Sequence, residues 1–484
     1  MSRSRLLAGL CLVLVAVGAS VAEADQLRRD GRWLVDGSGR VVLLHGVNAV
    51  WKLAPYAPPA VARGFVEADA QWLEDHGLNA VRLGVLFVGV MPERGVIDTS
   101  YLEAIDRVVQ LLAAHHIYLL LDFHQDLYNE KFQGEGFPNW SVYDDGIPHF
   151  FNAGFPGNYF TPEVMRTFDN LWANKMAAGD PKGLWGYYAD AWQAVVSKWK
   201  DQPYLMGYDL LNEPWPGSDW PTCANPLGCP LHDTLKLQAF QQHVLEGIRA
   251  LDSDNIVWFE PNVTFNSGAK SGLGLITPVV DANLGLSWHN YCLPAGVVHS
   301  SGVTDVPGCE LLHQIPFDNA NETIARLGAT QLVTEFGASD DIADLKQVTR
   351  QADQYFVGWL YWHYKEWGDP TTESQTSGGQ GLFYKDDDLT TLKPAKGQVL
   401  IRPYPRATAG TPQSLSFDPV TREFSYRFQA GGGTTEIFVP DLQYGGSYDF
   451  SVTGGTGTAD LVEQTLHVAA DPGSEVTVTI MPGT

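Results

Sequence analysis

Between residues 41 and 364 short apolar runs recur, and most are nearly continuous hydrophobics rather than alternations of apolar and polar residues. They cover residues 41–48, 80–85, 118–124, 205–213, 255–260, 285–291, 331–337 and 357–364. Runs of this kind predict parallel strands covered on the outside by helices. Helical spacing fills several of the gaps. Residues 101–116 carry Leu102, Ile105, Val108, Val109 and Leu112 on one face, and 183–200 and 235–251 read similarly. Strands alternating with helices define the α/β class, and eight such units predict a (β/α)8 TIM barrel with insertions. The alternative, a doubly wound open sheet, needs a Gly-rich nucleotide loop after an early strand, which this sequence lacks.

Past Asp388 the pattern changes. Pro and Gly mark a boundary at 392–412, and short strands separated by turn residues follow at 414–417, 423–428, 435–439, 447–452, 465–468 and 475–480. This predicts an all-β sandwich. At the other end, Arg3 and Arg5 precede an apolar run at 6–19 and an Ala-x-Ala site at 22–24, the form of a secretory signal peptide. The run is shorter than the ~20 residues that span a bilayer. The expected organisation is therefore a signal peptide at 1–24, a catalytic barrel at 25–391 and a β-sandwich at 392–484, with the protein secreted.

Composition adds three points. Hydrophobic residues make up 44% of the chain, enough for a large core. The net charge of −25 repels phosphate backbones and excludes nucleic acid as a natural partner. Of five cysteines, Cys11 leaves with the leader, and Cys223, Cys229, Cys292 and Cys309 remain, an even number that suggests disulfides outside the cell. Proximity favours Cys223–Cys229 and Cys292–Cys309 among three pairings. No C-x-x-C pair suggests a zinc site.

Barrel enzymes carry their chemistry at the C-terminal strand ends. Here strand two carries Arg82, strand three ends in His124-Gln125-Asp126, and strand four ends in Asn212-Glu213-Pro214. Strand six ends in His289-Asn290-Tyr291, strand seven in Glu335-Phe336-Gly337, and strand eight carries Trp362. Polar groups there are costly to bury unless paired, and several strands make the same exception at the same end. Two glutamates on facing strands suit glycoside hydrolysis, in which one carboxylic acid protonates the leaving oxygen and a second carboxylate attacks the sugar. Arg82 and Tyr291 would favour the charged form of Glu335. Glu335 is therefore the expected nucleophile, Glu213 the acid/base, and Asn212 a ligand of the sugar 2-hydroxyl. The mechanism implies neither metal nor organic cofactor.

Leu211-Asn212-Glu213-Pro214 and Thr334-Glu335-Phe336-Gly337, with Arg82, His124, His289, Tyr291 and Trp362 in their strand contexts, resemble glycoside hydrolase family 5. That resemblance implies the same two glutamate roles. Within the family, His45-Gly46-Val47-Asn48, Leu121-Asp122-Phe123-His124-Gln125-Asp126 and Arg402-Pro403-Tyr404-Pro405 resemble the bacterial endoglycoceramidase group most. Its members cut the β-linkage between oligosaccharide and ceramide in glycosphingolipids. The resemblance further implies that Lys52, His124 and Asp126 bind the sugar next to the ceramide. A monomer is expected, with transient contact with a membrane or micelle surface. Rival readings are a galactosylceramide-type glycolipid hydrolase, a family 5 endo-β-glucanase or mannanase, and a non-catalytic glycolipid binder.

A lipid substrate also needs an apolar surface. Residues 131–160 follow strand three and hold Phe132, Phe137, Trp140, Tyr143, Phe150, Phe151, Phe155, Tyr159 and Phe160. With Gly and Pro spaced through them they predict a long loop on the active face, its rings either buried on themselves or offered to lipid. Trp215 and Trp220, just past Glu213, either contact sugar or lipid or pack against the Cys223–Cys229 turn.

Overall fold

The computed structural model describes residues 26–177, 179–180, 182–292, 306–371 and 379–483. The expected signal peptide at 1–24 lies outside the described residues. Eight parallel strands close into a barrel: β1 (His45–Ala49), β2 (Ala80–Val85), β3 (Tyr118–Phe123), β4 (Leu205–Asp209), β5 (Val257–Phe259), β6 (Leu284–Asn290), β7 (Thr330–Phe336) and β8 (Gly358–Tyr361). β8 returns to β1 in the register Trp359↔His45 to Tyr361↔Val47. Every residue of these strands is buried, which is why the runs are continuously apolar rather than alternating. A closed eight-stranded parallel barrel followed by C-terminal antiparallel sheets, the architecture the sequence predicts, is thus observed.

The surrounding helices form where their periodicity places them. Thr99–Ala114 buries Leu102, Ile105, Val108, Val109 and Leu112, and the Asp98 carboxylate caps its first turn by accepting from the amides of Ser100 and Tyr101. Leu184–Trp199 and Gln238–Arg249 match the other two helical stretches.

Inside the barrel the side chains are layered. Leu44, Ala80, Leu120, Met206, Ile256, Leu332 and Leu360 belong to one apolar cluster near the strand starts. Two residues further along, period-two alternation brings Arg82, Asp122 and Thr334 to the same inward side. Gly46 lets β1 approach β2 closely, since a Cβ there would lie 1.9 Å from the Ala80 carbonyl oxygen. On β7 the register against β6 shifts between Val333 and Glu335, setting Glu335 opposite His289. A bulge of this kind re-aims a side chain.

Two expected strands differ in extent. The run at 41–48 is broken in the structure, because Val41–Val42 pairs with Tyr404–Thr408 of the C-terminal unit before β1 begins. Leu43 packs into the sandwich core and Leu44 into the barrel floor, so neighbouring apolar residues serve two cores and read as one run. The run at 205–213 ends as a strand at Asp209, and the chain leaves the sheet before Glu213, whose φ is 42°.

The C-terminal unit contains a four-stranded antiparallel sheet and four strands of a seven-stranded sheet. The latter joins Tyr404–Thr408, Thr434–Phe438, Thr465–Ala469 and Thr456–Asp460 to three N-terminal strands, Arg28–Asp30, Trp33–Val35 and Val41–Val42. Phe424, Tyr426, Phe428, Ile437, Leu466 and Val478 fill the core between the sheets. The unit is tied to the barrel by a buried Arg402–Asp353 ion pair and by the Tyr404 hydroxyl, which donates to the Gly77 carbonyl at 2.7 Å. The Tyr404 ring stacks on His45 of β1 at 3.9 Å. Disulfides join Cys223 to Cys229 and Cys292 to Cys309. Among the described residues no helix is long and apolar enough to cross a membrane.

Candidate active site

Arg82 on β2 organises the mouth of the barrel. It is fully buried and donates to Asp209 on β4 at 2.8 Å, to Glu335 on β7 at 2.5 Å, to Asn48 on β1 at 3.2 Å and to Asn212 beyond β4 at 2.9 Å. Asp122 on β3 lies 3.0 Å from the same guanidinium. The planar fork of five N–H donors suits such a ring of acceptors, where an ammonium would serve fewer.

The two glutamates face each other across this network. Their nearest carboxylate oxygens, together with a ring nitrogen of His289, all lie within 4.8 Å of one another. Their surroundings differ. Glu335 accepts from Arg82 and, through Oε2, from the Tyr291 hydroxyl at 3.0 Å. Burial raises its pKa above the usual carboxylate range, opposed by His289, Arg82 and His124. Glu213 has no guanidinium contact; its Oε1 accepts from Asn266 at 2.9 Å and faces Nδ1 of His289 at 2.9 Å. Burial, followed by the nearby Asp126 charge, pushes the Glu213 carboxyl up to about 7. His289 is held down at about 4 by burial, so its ring is neutral near pH 7.

A second cluster adjoins the first. The Lys52 ammonium, buried beyond β1, contacts Asp126 at 2.5 Å, Thr371 at 2.9 Å, Asp369 at 3.1 Å and Glu135 at 3.5 Å. Burial opposes its charge, but Asp126, Asp369 and Glu135 outweigh that and hold its pKa well above the ordinary lysine value. Gly134 permits the close turn beside Asp126, since a Cβ there would lie 1.9 Å from the Asp126 carbonyl oxygen. His124 Nδ1 pairs with Asp122 at 2.8 Å, and despite burial that neighbour raises it to about 9. The Trp362 ring stacks on His124 at 5.2 Å and lies 4.8 Å from the Lys52 ammonium. Its indole N–H donates to Gln380 at 3.1 Å.

The structure therefore brings Lys52, Arg82, His124, Asp126, Asn212, Glu213, His289, Tyr291, Glu335 and Trp362 to one end of the barrel. Asn212 is held on both sides, with Oδ1 accepting from Arg82 and Nδ2 donating to the Gln125 carbonyl at 2.9 Å. The two sets of ligand-type atoms, Glu213/His289/Glu335 and His124/Asp126/Glu135, already have Arg82 and Lys52 against their carboxylates.

The sequence reading omitted several members. Glu260 ends the fifth run and accepts from the Glu213 amide at 3.0 Å, so its strand-end position was the available signal. Asp209 is marked in the sequence only by being acidic inside an apolar run. Glu135, Asp369 and Thr371 sit in loops without a period, and Asn266 in a short 3-10 turn, Val263–Ser267. The loop at 131–160 divides its rings: Phe132, Phe137 and Tyr159 are buried, whereas Phe150 and Phe151 are 88% and 70% exposed. Trp215 is buried against Tyr159 and Phe160, and Trp220 packs edge-on to Phe160.

A ring of buried acids at the strand ends of a closed barrel is the site of a glycoside hydrolase, and the chain belongs to glycoside hydrolase family 5. Residues 35–368 match the family described as cellulase (glycosyl hydrolase family 5), and 402–480 match the glycoside hydrolase family 5 C-terminal domain. Endoglycoceramidase I of Rhodococcus hoagii (strain 103S) is 36% identical over 461 residues, covering 94% of this chain and 88% of that protein. Endoglycoceramidase of Cyanea nozakii is 30% identical, covering 87% and 85% respectively. Among solved structures, endo-glycoceramidase II from Rhodococcus sp. in its ganglioside GM3 complex superposes with a TM-score of 0.76 at 27% identity, over 94% of this chain and 100% of that one. Another structure of that enzyme is its lactosyl-enzyme intermediate, with a TM-score of 0.76 at 27% identity over 93% of this chain and 100% of that one.

Proposed function

We propose that this enzyme is a retaining endo-β-glycosidase that releases oligosaccharide from ceramide in glycosphingolipids. The carrying observation is the pair of glutamates whose oxygens approach within 4.8 Å in unequal surroundings. Retaining enzymes place their carboxyl groups about 5–5.5 Å apart, close enough for direct attack, whereas inverting enzymes leave room for a water. In the first step Glu335, ionised beside Arg82 and Tyr291, attacks the anomeric carbon while Glu213 gives its proton to the departing ceramide oxygen. In the second, Glu213 takes a proton from water, which attacks the anomeric carbon and frees Glu335. The Lys52, His124, Asp126 and Trp362 cluster binds the sugar next to the scissile bond.

The named relatives support the glycolipid substrate, and the exposed Phe150 and Phe151 support contact with a lipid or micelle surface. Two disulfides support a secreted, oxidising location. We assign catalysis to residues 25–391 and a bracing role to 392–484, supported by the buried Arg402–Asp353 pair.

Incubation of the purified protein with a ganglioside tests the reading. Ceramide and intact oligosaccharide should appear together by mass spectrometry. A shortened β-glucan with no ceramide released would overturn the lipid assignment. The glutamate roles are tested by Glu213→Ala, expected to lose roughly 10²–10⁴-fold on glycolipid and far less on an aryl glycoside with a good leaving group. Equal losses on both would remove Glu213 from the acid role.

A further inference from the structure

Behind the two glutamates lies an atom pair that the mechanism above does not use. The Asn266 amide is oriented by its Oδ1, which accepts from the His289 backbone N–H at 3.4 Å, so its Nδ2 donates to Oε1 of Glu213. Oε1 is therefore an acceptor, and the acid proton of Glu213 belongs on Oε2. Nδ1 of His289 faces that same Oε1 at 2.9 Å and Oε2 of Glu335 at 3.3 Å. A bare Nδ1 would set its lone pair against two acceptors, so Nδ1 carries the proton. In a neutral ring Nε2 is then bare, and it is buried with no hydrogen-bond partner.

Glu260 stands on that side of the ring. It is fully buried, its Oε1 accepts from the Glu213 backbone N–H at 3.0 Å and lies 3.6 Å from Nε2 of His289, and its Oε2 has no hydrogen-bond partner, lying 3.8 Å from the Arg82 guanidinium. The 3.6 Å gap exceeds a hydrogen bond by a few tenths of an ångström, which a small rotation of the Glu260 carboxyl closes. The charges around Glu260 are Arg82 from β2, Asp209 from β4, Glu213 beyond β4, His289 from β6 and Glu335 from β7, with Asp122 of β3 on the same guanidinium. Four carboxyl groups, those of Asp122, Asp209, Glu260 and Glu335, thus lie within 3.8 Å of one guanidinium. Arg82, even with the His124 imidazolium beside Asp122, does not balance four buried anions, and Glu260, the farthest of them from Arg82, is the one best placed to stay protonated. Burial and the Asp209 charge act in the same direction.

We propose that Glu260 is a positioning residue that donates a hydrogen bond from its carboxyl to Nε2 of His289, fixing the ring tautomer whose Nδ1–H is handed to Glu213. The same carboxyl holds the Glu213 backbone, so one group sets both the place of the general acid and which of its oxygens carries the proton. The proposal rests on Glu213 being the acid/base.

Both contacts fall on Oε1, which as a hydroxyl donates to Nε2 and accepts from the Glu213 amide; the amide nitrogen of a glutamine placed there keeps the first contact and loses the second, so E260Q separates the two roles. With an aryl β-lactoside, E260Q should lose ~10-fold in kcat, whereas E260L, which loses both contacts, should lose ~100-fold, each with KM little changed. Thermal melting and circular dichroism report whether each variant is folded. If E260Q were damaged as much as a folded E260L, a donor to Nε2 would contribute nothing and the proposal would be wrong. Native-like turnover by E260L would also overturn it. Nitrogen NMR of the native full chain, with His289 identified by its absence in H289Q, reads the tautomer without any substrate. A protonated Nδ1 with bare Nε2 supports the proposal, and an Nε2–H tautomer or an imidazolium overturns it, even if the glycolipid assignment fails.

Discussion

The Arg82 and Lys52 clusters sit side by side at the barrel mouth, each a buried cation among several acids, yet they are built differently. Arg82 and four of its partners, Asn48, Asp122, Asp209 and Glu335, lie on barrel strands, locked in register by the sheet, and Asn212 and Glu260 follow shortly after β4 and β5. Lys52 and its partners Asp126, Glu135, Asp369 and Thr371 all lie beyond strand ends. A guanidinium with fixed donors matches the rigid half, and an ammonium on a flexible stem matches the loop half. The strand-built half fixes Glu335 on β7 and, through Asn212, reaches the turn that carries Glu213. The loop-built half, proposed above to bind the sugar, is the part expected to change more readily between substrates.

If that division is right, removing a reacting group from the strand half has the largest effect. Glu335→Gln keeps the size and the Arg82 and Tyr291 contacts but has no nucleophilic carboxylate. Turnover should fall by at least ~10⁴-fold while glycolipid binding, measured by calorimetry, changes little. Loss of binding in parallel with turnover would mean that Glu335 anchors substrate rather than attacks it.

The two cations are the direct comparison. Arg82→Met leaves Asp122, Asp209 and Glu335 buried without their counter-ion, and breaking such a pair typically costs about 3–5 kcal/mol. A large drop in the melting temperature is expected, with loss of activity. Lys52→Met also strands acids, but at a cluster flanked by loops. Its expected signature is a fold that survives and a kcat/KM on lactosides reduced by roughly 10–100-fold, carried mainly by KM. Equal destabilisation by both variants would erase the distinction between the halves.

The same distinction decides what was legible in the sequence. Each barrel strand announced itself as an apolar run, and a polar residue ending such a run stood out, so Arg82, Asn212, Glu213, His289 and Glu335 could be read directly. The disulfides followed from sequence proximity. Strand ends inside an apolar stretch were not readable: nothing in Val-Val-Leu-Leu-His shows that the chain passes from one sheet to another between Val42 and His45. Nor could the sequence show that three N-terminal strands complete the C-terminal sheet, because sheet partners distant in the chain share no period. Asp369 and Thr371 reach Lys52 from a segment beyond β8 with no pattern to mark them. Glu260 had the strand-end signal but no partner in sequence to give it a role.

Between the halves, pH offers a smaller and more selective effect. Glu213 must be protonated to act as the acid, and its carboxyl titrates at about 7, so kcat/KM should fall as pH rises through that value. Glu335 must be ionised, so the rate should also fall as pH drops through its pKa, which lies above the ordinary carboxylate range. The Lys52 charge lowers the Glu213 pKa, whereas Glu335 is governed chiefly by burial, His289, Arg82 and His124. Lys52→Met should therefore move the alkaline limb to higher pH and leave the acid limb in place. Movement of both limbs together would show that the loop cluster acts on the strand network as a whole.

The smallest expected effect belongs to the outermost part of the loop half. His149 is pinned by its contact with the buried Glu163 carboxylate and packs edge-on to the buried Phe132 at 6.0 Å. The chain at 149 is thus anchored, yet the next two rings, Phe150 and Phe151, project into solvent. Buried aromatic rings contribute about 1.5–3 kcal/mol each, so two rings left outside the core are costly to expose unless an apolar surface covers them in use. With a net charge of −25, attraction to an anionic lipid surface is unavailable, and apolar contact is the remaining means of holding one. Phe150→Ser with Phe151→Ser should raise KM for a glycolipid in micelles by roughly 3–10-fold, a partial-burial effect on that scale. KM for a soluble aryl β-lactoside should stay as in the native enzyme. If both substrates were affected equally, the two rings would belong to the sugar site, and the loop half would have to be extended to include them. If neither were affected, the lipid contact would lie elsewhere, and the strand-built half alone would account for catalysis on either substrate.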